Sequence, residues 1–243
     1  MKTNLLAFLF SFIFLFCDFS IGFGEEPEIK KEFWKNGKKR LEEHYKNGKL
    51  DGLSSYFYES GIKMLEVYYK QGEKNGLEVH WYPSGKIWYE RSYKFGQKDG
   101  SWTEWYFNEK IKFKGYFKNG NKDGLYSSWY ENGKQKLEEH YKEGKKDGLS
   151  TSWYTNGKKW YLRRYKDGKK DGLDTEWYEN GKKWYELIYK DGKKDGLDTE
   201  WYENGVKMIE KHYKNGVKDG RWTEWSKDGE KKNEKYFKDG KEQ

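Results

Sequence analysis

The chain has 243 residues, of which 20% are aromatic and 37% charged, and 49 Lys and Arg face 41 Asp and Glu for a formal net charge of +8. Disordered chains combine high charge with few aromatics, so that class is excluded, and Trp, Tyr and Phe must supply the burial that Leu, Ile and Val usually provide. The modest charge excess permits contact with anionic surfaces without demanding it.

The chain starts with a basic Met1-Lys2, an apolar run from Leu5 to Phe16, and Gly22 and Gly24 at the −3 and −1 positions of a cleavage after Gly24. Residues 1–24 therefore read as a secretory signal peptide, which places the mature protein in the periplasm, at the cell surface or outside the cell. The run falls short of the ~20 residues of a membrane span, and Asp18 interrupts it, which argues against an uncleaved anchor. Cys17 follows Leu15-Phe16 rather than a small residue, which argues against a lipoprotein. Cleavage would remove this single cysteine and with it disulfides and thiol chemistry.

From there the chain repeats. Glycine recurs at 52, 76, 100, 124, 148, 172, 196 and 220, a step of 24 residues without insertion or deletion. A fixed period of this length marks a repeat architecture. Residues 52–243 hold eight tandem units, and 25–51 a degenerate first one that keeps Phe33, Tyr45 and Gly48 in matching places. With the opening glycine as offset 0, offset 5 is Phe57, Trp81, Trp105, Trp129, Trp153, Trp177, Trp201 and Trp225, and offset 17 is always Tyr or Phe, as in Tyr165, Tyr189 and Phe237.

Each unit carries two turn signals, Glu-Asn-Gly-Lys near offset 8 and Asp-Gly-Lys-Lys-Asp-Gly near offset 20, with runs rich in Trp, Tyr and Thr between them. Short β-prone runs between Asn-Gly and Asp-Gly clusters are strands joined by hairpins. No helical stripe survives a glycine pair in every unit. The fold class is all-β: an elongated antiparallel meander of 24-residue hairpin repeats, one twisted or curled sheet of up to eighteen strands and roughly 80 Å long.

Register follows from polarity, because a one-residue slip exchanges the faces. A three-residue first loop with Gly in the left-handed conformation and a five-residue second loop group Leu173, Thr175, Trp177, Tyr185 and Tyr189. The other face then receives Asp174, Glu176, Tyr178, Trp184, Glu186 and Ile188. The aromatics of offsets 5 and 17 are on this reading the core.

The unit Gly-x-x-Thr-Glu-Trp-Tyr-x-Asn-Gly-Lys, followed by Tyr-Lys-x-Gly-x-Lys-Asp-Gly, resembles the bacterial MORN-repeat variant, whose arrays are grouped as YwqK-family antitoxin-like proteins. Trp177, Tyr178, Gly181, Tyr189, Gly192 and Gly196 stand at its typical positions, whereas Phe57, Glu109 and Ser226 depart from them. The resemblance covers residues 28–243. It implies a β-hairpin array used for binding, with membrane-lipid contact and protein scaffolding as the associated roles. The antitoxin label implies a cytoplasmic toxin partner, against which the signal peptide speaks.

Two constellations are candidate binding sites. Lysine at offset 18, including Lys94, Lys118, Lys142, Lys166, Lys190 and Lys214, together with lysine at offset 22, would line one long edge as a basic rail, successive copies about 10 Å apart. The rail suits polyanions, although Asp at offset 23 would partly neutralise it. Trp88, Trp160 and Trp184 at offset 12 are outward aromatics able to stack on a ligand. The four histidines fall in units too far apart to share a metal, no P-loop, dinucleotide fingerprint or nucleophile elbow is present, and identical units offer no unique catalytic pocket. The sequence thus reads as a non-enzymatic exported scaffold that needs no cofactor and binds another protein. A glycan- or anionic-lipid-binding module and a toxin-neutralising antitoxin are the alternatives. Mixed charge and export exclude nucleic acid.

Overall fold

A computed structural model describes residues 27–243, so the signal peptide read at 1–24 lies outside the described residues. In chain order the strands are β1 (Glu28–Phe33), β2 (Lys39–Lys46), β3 (Lys49–Leu50), β4 (Gly52–Phe57), β5 (Lys63–Lys70), β6 (Glu73–Trp81), β7 (Ile87–Lys94), β8 (Gln97–Trp105), β9 (Ile111–Lys118), β10 (Asn121–Trp129) and β11 (Gln135–Lys142). They continue as β12 (Lys145–Trp153), β13 (Lys159–Lys166), β14 (Lys169–Trp177), β15 (Lys183–Lys190), β16 (Lys193–Trp201), β17 (Lys207–Lys214), β18 (Val217–Lys218), β19 (Gly220–Trp225), β20 (Lys231–Lys238) and β21 (Lys241–Glu242). All 21 belong to one sheet, antiparallel at every pairing and open, a meander as expected. The count exceeds eighteen because Asp51 and Asp219 each interrupt one long strand and two residues at the end add β21.

The first turn is the expected three-residue loop. In the unit opening at Gly172, Tyr178 N donates to Lys182 O at 2.9 Å and Gly181 N to Tyr178 O at 2.8 Å. Gly181 is left-handed at φ +93°, a conformation in which a side chain is strained. Asn180 Oδ1 accepts from Lys182 N at 2.8 Å and closes the loop.

The register is not the expected one. Glu176 pairs with Tyr185 but Trp177 with Lys183, so Trp184 is an extra residue and forms a bulge. The second loop is also shorter than expected. Lys190 pairs directly with Lys193, and Asp191 (φ 49°) and Gly192 (φ 83°) make a two-residue turn of the mirror-image kind that suits strand twist. The remaining residues form a second bulge, in which Asp195-Gly196-Leu197 oppose Ile188 alone, with Gly196 at φ +118°.

Together the bulges slip the pairing by one residue and correct the faces. Asp174 pairs with Leu187 and Glu176 with Tyr185, so Asp174, Glu176, Tyr185, Leu187 and Tyr189 share what we term the tyrosine face. Leu173, Thr175 and Trp177 lie with Glu186 and Ile188 on the tryptophan face. Offsets 5 and 17 are therefore on opposite sides and do not form one core. The fully buried side chains include Leu187, Val67, Asp174, Asp198, Ser54 and Ser150 at offsets 2 and 15, and Thr175 at offset 3. Each face has its own thin buried row.

The tryptophan face repeats one ion pair in the units opening at Gly52, Gly172, Gly196 and Gly220. Lys63, Lys183, Lys207 and Lys231 bind Glu66, Glu186, Glu210 and Glu234 at 2.5–2.7 Å. Three of these ammonium groups also lie over the offset-5 ring of the next unit: Lys63 over Trp81, Lys183 over Trp201 and Lys207 over Trp225, at 5.6–5.8 Å. Thr175 Oγ1 donates to Glu186 Oε2 at 3.3 Å.

Both long edges are stitched between units. Tyr178 Oη donates to Trp201 O at 2.7 Å, and Tyr58, Tyr130 and Tyr154 do the same one unit on at 2.8 Å. Lys182 Nζ donates to Asn204 O at 2.6 Å, and Asn180 Nδ2 to Glu203 O at 3.1 Å. At the other edge Asp195 Oδ2 accepts from Asn215 N at 3.1 Å. Asp51, Asp99, Asp147, Asp171 and Asp195 thus hold the next turn in place, while Asp219 pairs with the offset-18 Lys238 at 3.4 Å, as expected of a rail partly neutralised by its aspartates.

Candidate functional site

Because Leu187 pairs with Asp174 on one side and Asp198 on the other, offsets 2 and 15 form one continuous row along the tyrosine face. Read along the array, the row runs Ser54, Val67, Glu78, Arg91, Trp102, Gly115, Tyr126, Glu139, Ser150, Arg163, Asp174, Leu187, Asp198, Lys211, Trp222 and Lys235. Charge, size and shape change at almost every step. The flanks scarcely change: Tyr or Phe at offset 17 on one side, and lysine at offset 22 in most units.

The offset-22 lysines correct the rail. Tyr189 pairs with Lys194 and Tyr165 with Lys170, so these side chains turn onto the tyrosine face instead of along the edge. Lys146, Lys170 and Lys194 lie 4.7–5.1 Å from the ring centres of Tyr165, Tyr189 and Tyr213. Where the row is acidic they also bind it: Lys74 to Glu78 and Lys170 to Asp174 at 2.6 Å, and Lys194 to Asp198 at 3.0 Å. Asp174 also accepts from Arg163 Nε at 3.2 Å, and Arg163 reaches Glu176 as well. Lys146 binds Glu139 at 2.5 Å.

Two row positions in mid-array have no acid to offer. Lys98 lies 4.4 Å from the Trp102 ring centre and Lys122 lies 3.5 Å from that of Tyr126. Burial pushes the Lys122 ammonium below its usual range, Lys146 and Lys98 add to this, and Glu139 opposes it. Burial, followed by the charge of Glu78, pushes the Tyr89 and Tyr93 hydroxyls up to about 12, so both are protonated donors at neutral pH.

The sequence-derived candidates fall in two places. Lys94, Lys118, Lys142, Lys166, Lys190 and Lys214 are all exposed beside the two-residue turns, and among the described residues none is within ion-pairing distance of a carboxylate. Trp88, Trp160 and Trp184 are 36%, 44% and 42% exposed. As the bulged residues they join the tyrosine face rather than the opposite one: Trp88 stacks on Tyr82 at 5.5 Å, and Trp160 and Trp184 lie 5.9 and 6.1 Å from Tyr154 and Tyr178. Among the described residues no group of three His, Cys, Asp or Glu side chains is placed to hold a metal. The variable row and the inward lysines went unnoticed in the sequence, although tabulating the units by offset displays the variation at 2 and 15.

The family model described as MORN repeat variant matches residues 29–47, 50–71, 74–95, 98–119, 122–143, 146–167, 170–191 and 194–215. No curated protein matches the chain.

Proposed function

We propose, from the premise that this chain belongs to the MORN repeat variant family, that it is a non-catalytic repeat scaffold that binds a partner protein across its tyrosine face. One observation carries this reading. Both edges repeat the same contacts in unit after unit, and the tryptophan face repeats its Lys–Glu pair in the units opening at Gly52, Gly172, Gly196 and Gly220, as a self-supporting architecture requires. The row at offsets 2 and 15 varies from unit to unit although its backbone setting is constant. Variation on a fixed frame gives a long surface an order of charges and rings that one partner can match and others cannot. Export, by way of residues 1–24, belongs to the same proposal.

A second reading rests on the exposed lysines of offset 18, which suit a polyanion such as an anionic lipid surface or a cell-surface glycan. The two separate in one experiment. Partners are captured on the full chain, on a row variant (Arg91→Ser, Arg163→Ser, Lys211→Ser) and on an edge variant (Lys94, Lys118, Lys142, Lys166, Lys190 and Lys214 each to Glu), at low and high salt. Loss in the row variant with survival in salt supports the scaffold. Loss in the edge variant alone, together with loss in salt, overturns it in favour of the polyanion. N-terminal sequencing of native protein is expected to start after Gly24. An intact Met1 in a cytoplasmic fraction would sink the exported form and leave the antitoxin-like reading standing.

A further inference from the structure

The middle of the tyrosine face differs from the rest of it. Gly115 takes the place of the row side chain at offset 15, and its neighbours in the row are Trp102 and Tyr126. A Cβ at Gly115 would stand 2.7 Å from Phe113 Cζ and 3.1 Å from Tyr126 Cδ2, so both rings sit in space that any other residue would claim. Beside them Phe117 packs on Trp102 at 4.8 Å between ring centres. Trp102, Phe113, Phe117 and Tyr126 together line a half-open cavity of about 550 Å³ on this face. Cavities of this size hold drug-sized ligands and are typically apolar with a few placed polar groups.

The placed groups here are cations. Lys98 and Lys122 both line the cavity, and among the described residues neither has a carboxylate within ion-pairing distance. Arg91 flanks them, 4.8 Å from the Trp102 ring centre. The carboxylate in the wall, Glu104, is engaged by Lys112 at 2.8 Å. Elsewhere on this face the equivalent lysines are neutralised by Glu78, Asp174 or Asp198. The far end of the array repeats the lysine-on-tryptophan pairing, with Lys218 4.2 Å from the Trp222 ring centre, but there Lys235 rather than glycine stands beside it.

We propose that this mid-array cavity is a binding site for a small organic anion with an aromatic body. The ring system of the ligand lies against Trp102, Phe113 and Tyr126, and its carboxylate, or an equivalent anionic group, takes the place between Lys98 and Lys122 that an acidic row residue fills in other units. The site stands independently of the scaffold reading, since it needs no partner protein.

The test uses the full chain with 2-naphthoate as probe and 2-naphthamide as its neutral isostere. Titration calorimetry at low salt is expected to show one naphthoate per chain, with the amide about tenfold weaker or worse, the worth of a charge-assisted hydrogen bond. Nuclear magnetic resonance is expected to place the probe's ring-current shifts on Trp102 and Phe113. Lys98→Met with Lys122→Met should lower naphthoate to the level of the amide. Lys94→Met with Lys118→Met, which removes the same charge from the exposed edge, should leave it unchanged. No saturable binding, equal binding of acid and amide, or shifts elsewhere on the chain would each overturn the proposal. These three readings use the unaltered chain and hold even if the double variant does not fold.

Discussion

The units opening at Gly100 and Gly172 share one backbone and hold opposite chemistry on the tyrosine face. In the later unit the row is Asp174 and Leu187, both buried, and Lys170 and Arg163 converge on the aspartate. In the earlier unit the row is Trp102 and Gly115, and Lys98 rests on a ring with no acid to bind. The hairpin does not require a particular side chain at offsets 2 and 15. It requires only that the lysine and tyrosine beside the row be satisfied, by a carboxylate or by a π-face. Each unit is thus free at these two positions on a constant backbone.

The largest expected effect tests whether offset 15 is structural where it is filled. Leu187 is fully buried, and Leu187→Ala should cost about 3 kcal/mol by urea denaturation, the cavity price of a core leucine. If the loss is near zero, the row is not a core in this unit and the contrast with Gly115 disappears.

Charge comes next. Asp174→Ala leaves Lys170 and Arg163 facing an empty site. It should destabilise by about 2 kcal/mol, less than a wholly buried pair because both cations keep some water. At the same offset in mid-array, Tyr126→Phe should change stability by less than about 0.5 kcal/mol, since it removes no hydrogen bond to the protein. Equal losses at the two sites would show that the rings and the acid play one role.

The edge frame should not register the difference at all. Tyr106→Phe and Tyr178→Phe each remove a hydroxyl that donates to the next unit, at 2.9 Å to Trp129 O and 2.7 Å to Trp201 O. Both should cost about 1 kcal/mol. A marked difference between them would mean that row and frame are coupled.

The smallest effect is a titration order. Burial lowers Lys122 from 10.5. For Lys194 burial acts in the same direction, but the hydrogen bond and charge of Asp198 outweigh it and raise the group above 10.5. Side-chain resonances followed into the alkaline range should therefore show Lys122 losing its proton first. The signs for stability are opposite. The contribution of Lys194 is complete below 10.5 and is lost as pH rises through its raised value, whereas the cost of holding Lys122 charged is relieved as pH rises past its lowered value. The reverse order would remove the electrostatic half of the comparison.

Period, hairpins, the first turn and, among the described residues, the all-strand character were legible because each depends on local chemistry: Gly at a left-handed position, Asn closing the loop, and aromatic strands between. Face assignment was not, because it depends on the sum of small insertions. The extra residue at Trp184 carries no signal that separates it from an ordinary strand tryptophan. Asp195-Gly196 reads as turn chemistry although it forms a bulge beside a two-residue turn. A single uncounted residue moved Tyr185 and Tyr189 to the other side of the sheet. For the same reason the offset-22 lysines looked like an edge in one dimension and proved to be part of a face.

The stitches between units also bear on mechanics. The ladder hydrogen bonds of this sheet lie along the axis of the array, so tension applied between its two ends loads them in line and opens them strand by strand, as a zipper, rather than shearing many together. The tyrosine hydroxyl, asparagine and aspartate stitches at each boundary break with the unit they join, which divides the yielding into discrete steps. Each step frees 24 residues and lengthens the molecule by about 70 Å. Under load the array should therefore lengthen in equal increments.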